Sequence, residues 1–186
     1  MESLLGNLRK EKLSVYIKLS NYLSGNLAEV GVYKGGSAEI IAKAKEESKK
    51  LFLFDTFEGM PEVNEKDNFC KKGDFNDTSY DSVKQGLQNY KNIFLYKGIF
   101  PKENSEHIEK EQFSLVHIDV DIYQSYKDCL EFFYPRMVCG GIIVLDDYNH
   151  DLCHGAKLAT DEFLKDKNEK VIWHMFSQAC IIKQAM

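Results

Sequence analysis

The 186-residue sequence has no apolar run long enough to cross a bilayer, no repeat, no low-complexity tract and no linker rich in proline, glycine or serine. Its first residues, MESLLGNLRKEKLS, have the wrong charge order and too short an apolar run for a secretory leader, so a cytoplasmic location is expected. No lysine/arginine stripe dominates any segment, and the formal net charge is -5. A nucleic-acid partner is therefore not expected, because nucleic-acid binding normally needs a basic footprint. Mixed clusters such as KAKEESKK read as solvated helix ends. The five cysteines (Cys70, Cys129, Cys139, Cys153 and Cys180) are odd in number and include no CxxC pair. They read as reduced, structural thiols, and no zinc site is placed on them.

What is present is a globular composition, 44% apolar, in a chain of the length of one domain, here taken as 1–186. The N-terminal region, 1–24, is expected to be helical, with Leu5, Leu8, Tyr16, Leu19 and Leu23 at helical spacing. Strands follow at 27–32, 51–55, 93–98, 113–121 and 141–147, alternating with helices near 37–48, 79–91, 102–110, 123–135 and 155–166. Near-continuous apolar strands separated by helices predict a parallel sheet covered on both faces. VIWHMF (171–176) and ACIIKQ (179–184) are joined by two residues, which permits only an antiparallel hairpin. The outline is α/β: a seven-stranded, mostly parallel, Rossmann-like sheet closed by a C-terminal antiparallel hairpin, as in class I methyltransferases. Residues 56–80 resist assignment, and an irregular loop of that length is expected to cover a cofactor or substrate.

Ligands of open α/β sheets bind beyond the carboxyl ends of the strands. The first strand runs into AEVGVYKGGSAE, whose Gly31, Gly35 and Gly36 permit a tight turn, with Ser37 expected to cap the next helix. The spacing is not GxGxxG, and Glu29 stands inside the strand. Asp55, ending the second strand, is placed to accept hydrogen bonds from ribose hydroxyls. A nucleoside cofactor fits these positions better than a cluster of turn glycines does.

The stretch FSLVHIDVDIYQSY (113–126) starts as a buried strand and then sets His117, Asp119 and Asp121 at alternate positions, which is expected to place all three on one face of the strand. LDDYNH brings Asp146 and Asp147 to the end of the next strand. Four carboxylates converging without a lysine or arginine in these motifs repel one another unless protons or a cation compensate. An all-oxygen set suits a hard cation, Mg²⁺ first, then Ca²⁺ or Mn²⁺. Helix capping by Asp121 would explain one acid, not the set. His117 is expected to pack or orient within the strand, while His150 and His154 lie in the loop after the acids.

At this point the sequence resembles the macrocin O-methyltransferases, which use S-adenosylmethionine (SAM) to methylate sugar hydroxyls. The resemblance runs from about residue 27 to 166 through EVGVYKGGSAE, LFLFDTFEGMPE, GDF with a following TS, KGIFP, FSLVHIDVDIYQS, GGIIVLDDY and GAKLATDEF. It implies a divalent metal on Asp119, Asp146 and Asp147, and a general base at Asp121 or, in other members, a nearby histidine such as His150. For SAM it implies Glu29, Gly31, Ser37, Asp55, Thr56, Phe57 and Asp119, with Gly73, Asp74, Phe75 and Ser79 closing over the cofactor. The acceptor implied is a hydroxyl of a small molecule or glycan. Members acting on antibiotics carry a longer N-terminal region, so a more open site suited to a glycan end or nucleotide-linked sugar is expected here. Rival readings are a catechol-type phenol O-methyltransferase, an idle SAM-binding domain and, more distantly, an NAD-dependent reductase. A homo-oligomer interface, if formed, is expected on the N-terminal helix or the terminal hairpin.

Overall fold

A computed structural model describes residues 1–67, 69–173 and 176–185. After helix α1 (Asn7–Ser20) come β1 (Asn26–Val30), α2 (Gly36–Ala44), β2 (Leu51–Asp55), α3 (Tyr80–Gly86), β3 (Ile93–Lys97) and β4 (Phe113–Ile118). The chain continues with α4 (Tyr123–Phe133), β5 (Met137–Leu145), α5 (His154–Leu164), β6 (Ile172–Trp173) and β7 (Ala179–Ile182). The strands form one sheet in the order β3-β2-β1-β4-β5-β7-β6. β1 to β5 run parallel, and β7 lies antiparallel to both β5 and β6. The expected sheet and its closing strands are therefore present; His174 and Met175 of the expected hairpin lie outside the described residues.

Alternation along the strands divides the core in two. Ala28, Val30, Val116, Ile118, Ile143 and Leu145 face α4 and α5. Leu27, Leu53, Leu115 and Val144 face α1, α2 and α3. Aromatic packing closes the α4 side, where Phe133 stacks on Phe100 at 5.0 Å and meets Phe113 edge-on at 5.1 Å.

Two expectations are corrected. Residues 102–110 hold only a short 3-10 turn at Ser105–His107. Ile108 and the buried Asn104 are the segment's inward-facing residues, too few to form the apolar stripe an α-helix needs. In α1 the buried stripe is Leu13, Tyr16, Ile17 and Ser20, spaced three and four apart. Leu8 and Leu19 fall off that stripe and are exposed, whereas Leu5 packs ahead of the helix.

Candidate functional site

The sheet order reverses direction at β1 and β4, and it is there that the strand ends diverge to leave a crevice. A cavity of about 370 Å³ occupies it. Register carries the acids to its floor. Val30 pairs with Ile118 and Ile118 with Leu145, and the ladder extends one step through Asp119 N–H to the Val30 carbonyl and Asp146 N–H to the Ile118 carbonyl, both 3.0 Å. Carboxylate oxygens of Asp119, Asp146 and Asp147 lie within 4.8 Å of one another. β4 ends at Ile118, and Asp121 has φ +56°, so strand alternation does not extend to it. The turn nevertheless brings Asp121 to the same cavity, with its N–H donating to Asp147 Oδ2 at 3.1 Å. The helix cap is Ile122, not Asp121.

The acids differ in what surrounds them. Burial pushes Asp119 well above the ordinary carboxylate range, and the charges of Asp146 and Asp147 push it further. Asp147 is raised by burial, then by Asp121 and Asp146, although the Tyr126 hydroxyl donates to its Oδ2 at 3.0 Å. Asp121 is raised mainly by burial, and its Oδ1 accepts from the Cys153 thiol at 3.3 Å. Asp146 goes the other way. Burial pushes it up, but His117 and Arg9 outweigh that and hold it low. Arg9, from α1, bonds to Asp146 Oδ2, while Gln178 Nε2 donates to Oδ1 at 2.8 Å. Such a group of oxygen donors, with two acids pushed toward protonation by burial and then by their neighbours, fits a hard divalent cation, whose charge relieves the repulsion.

On the cofactor side, Gly31 has φ +89°, and a β-carbon there would stand 1.7 Å from the Asp119 carbonyl oxygen. Only glycine lets the two strand ends approach so closely. The Asp55 carboxylate faces the cavity and gathers the turn around it, accepting from Val32 and Tyr33 N–H at 2.8 Å and Phe57 N–H at 2.7 Å. Gly31, Ser37, Asp55, Thr56, Phe75 and Asp119 line the cavity, as do Asp121 and His150. Ser37 is not a cap: α2 begins at Gly36 with Gly35 as N-cap, and Ser37 lies inside the first turn. His150 Nδ1 accepts from Leu152 N–H at 3.2 Å.

Five expected cofactor residues do not reach the cavity. Glu29 is fully buried, with Oε1 2.8 Å from His117 Nδ1. Phe57 turns into the core and meets Tyr80 edge-on at 5.7 Å. Gly73 and Asp74 pair with Met60 through backbone bonds of 2.9 and 2.7 Å, folding the long loop on itself. Ser79 caps α3 by accepting from Ser82 N–H at 3.2 Å. Sequence reasoning missed Arg9, Tyr33, Ile99 and Ser125, which line the cavity. Tyr33, Ile99 and Ser125 belong to motifs quoted above; a lone arginine on the first helix carries no signal.

A family model described as Macrocin-O-methyltransferase (TylF) matches residues 2–180. The chain belongs to the macrocin O-methyltransferase family. It is 26% identical over 171 residues to the 8-demethyl-8-(2,3-dimethoxy-alpha-L-rhamnosyl)-tetracenomycin-C 4'-O-methyltransferase of Streptomyces olivaceus, covering 83% of this chain and 65% of that protein. It is 25% identical over 179 residues to the demethyldecarbamoylnovobiocin O-methyltransferase of Streptomyces niveus, covering 87% and 67%. The chain thus spans about two thirds of the length of these curated relatives. In fold it matches the solved structure of the O-methyltransferase NovP with a TM-score of 0.82 at 22% identity, over 98% of this chain and 82% of that one. An O-methyltransferase from Bacillus cereus, solved in complex with SAH, matches with a TM-score of 0.67 at 14% identity, over 96% and 82%.

Proposed function

We propose that this protein is a SAM-dependent O-methyltransferase, assisted by a divalent cation, that methylates a sugar hydroxyl on a small molecule or glycan. The observation that carries the reading is the meeting of Asp119, Asp146 and Asp147 beside Asp121 in one cavity at the reversal of strand order. The named acceptors of its relatives, a rhamnosyl tetracenomycin among them, favour a sugar. Asp119, Asp146 and Asp147 would hold the cation; Gly31, Ser37, Asp55, Thr56 and Phe75 would border SAM.

A divalent cation supplies acidification and a fixed position for an alcohol oxygen, and SAM supplies an electrophilic methyl group. Asp121, raised by burial, is suited to take the hydroxyl proton on its carboxylate. His150 borders the same cavity and is the second candidate base. With SAM bound, its methyl group would pass to that oxygen and the electron pair of the broken carbon–sulfur bond would stay with the departing thioether, while Asp121 would hold the hydroxyl proton and release it to water. Much of the acceleration comes from alignment of two held partners. Tyr33 and Phe75, meeting edge to face at 5.7 Å beside the cavity, favour as a second reading a planar phenolic acceptor. A cytoplasmic location belongs to the same proposal; among the described residues no helix is long and apolar enough to cross a membrane, and no disulfide is formed.

The test is transfer of labelled methyl from SAM to a panel of sugars, nucleotide-sugars, glycans and catechols, with Mg²⁺ and with EDTA. Label on a sugar only with Mg²⁺ is expected. Label that survives EDTA would remove the cation from the reaction, label confined to catechols would favour the phenolic reading, and SAM binding without transfer to any acceptor would favour an idle domain.

A further inference from the structure

Sheet register aligns two polar groups, Glu29–His117 and Asp146–Gln178, on the face covered by α1 and α2. Glu29 of β1 pairs with His117 of β4, His117 with Val144 of β5, and Val144 with Cys180 of β7. Asp146 lies two residues beyond Val144, and Gln178 two before Cys180, so both fall on this face. Glu29 and His117 are completely buried, an environment that ordinarily excludes charge unless it is matched.

His117 joins the two groups. Its Nδ1 stands 2.8 Å from Glu29 Oε1, while Nε2 stands 3.6 Å from Asp146 Oδ1, beyond a normal hydrogen bond. Nε2 is left buried without a hydrogen-bond partner, as is Glu29 Oε2. A ring fixed on one side by a carboxylate has a defined orientation on the other, which is how histidines in metal centres are commonly held. Here the histidine faces a carboxylate of the candidate cation site. We propose that His117, oriented by Glu29, is a positioning residue that sets the Asp146 carboxylate for cation binding through the Nε2 edge of the ring that faces Oδ1. The inference rests on the cation-site reading above.

Amide substitutions separate the two ends of the ring. His117→Asn keeps a polar group near Nδ1 and loses the one facing Asp146. His117→Gln places its amide near Nε2. Mn²⁺ affinity is measured by electron paramagnetic resonance beside the melting temperature and SAM affinity of each protein. The expected result is Mn²⁺ binding at least tenfold weaker in H117N and within about threefold of wild type in H117Q, with SAM affinity unchanged in both. Equal Mn²⁺ affinity in wild type, H117N and H117Q would overturn the positioning role. Wild-type protein that binds no Mn²⁺ would instead overturn the cation reading itself. Where H117N does not fold, the imidazole ¹⁵N resonances of the wild-type protein decide: Mg²⁺ should shift the Nε2 signal of His117 far more than Nδ1, and unmoved signals would overturn the inference.

Discussion

Gly31→Ala is the perturbation whose cost follows most directly from the geometry. The residue has φ +89°, and an added β-carbon would meet the Asp119 carbonyl oxygen at 1.7 Å and its carbon at 2.7 Å. Left-handed backbone costs a residue bearing a β-carbon about 1–2 kcal/mol. Overpacking adds about 1–3 kcal/mol, and here the obstacle is backbone that cannot rotate aside. The sum is roughly 2–5 kcal/mol, which for a chain of this size lowers the melting temperature by on the order of 10 °C. Relief by separating the strand ends would carry Asp119 away from Asp146 and Asp147, so Mn²⁺ affinity should fall as well. Urea unfolding followed by circular dichroism measures the first effect and Mn²⁺ titration the second. A loss below about 1 kcal/mol with unchanged Mn²⁺ affinity would refute the account of why glycine stands there.

Further expectations concern other parts of the molecule. Arg9→Met frees Asp146 Oδ2 from its guanidinium partner and should tighten Mn²⁺ binding by roughly three- to tenfold in calorimetry, worth about 1 kcal/mol of lost competition. Tyr126→Phe removes a hydroxyl that donates to Asp147 Oδ2 and accepts from Asp147 N–H, both at 3.0 Å, and should cost about 2 kcal/mol in urea unfolding. Burial pushes Glu169 up, but bonds from Tyr134, Gln184 N–H and Lys183 outweigh it and hold its pKa at about 2, against an ordinary value of 4.5. Because the folded value is the lower one, its contribution is present above about pH 4.5 and is lost as the pH falls toward 2. Glu169→Gln should therefore flatten the acid limb of the stability profile by roughly 2 kcal/mol.

How far the sequence discloses the site depends on whether a feature is local. Asp119, Asp146 and Asp147 each follow an apolar strand directly, and neighbouring parallel strands bring such ends together, so the cluster can be read along the chain. Glu29 could not be read this way. Its motif suggests a cofactor contact, but only the pairing of β1 with β4 reveals that the carboxylate belongs to His117. Arg9 is separated from Asp146 by 137 positions, and its role depends on how α1 docks. The long loop is a mixed case: its irregularity was evident, but the pairing of Met60 with Gly73 and Asp74 that turns it back on itself leaves no periodic trace. The failed helix at 102–110 has the related cause that spacing of polar residues alone does not supply an apolar stripe to bury.

The central claim is that the acids at the ends of β4 and β5 form a cation site beside the cavity. Its most direct measurement is Mn²⁺ titration, by electron paramagnetic resonance, of the wild-type protein and the single Asp119→Asn and Asp147→Asn variants, each checked for folding and SAM binding. One Mn²⁺ per wild-type chain, displaced by Mg²⁺ and weakened at least a hundredfold in either variant with SAM affinity kept, is the predicted result. Absence of bound Mn²⁺ in the wild type, or equal affinity in all three proteins, would contradict the account.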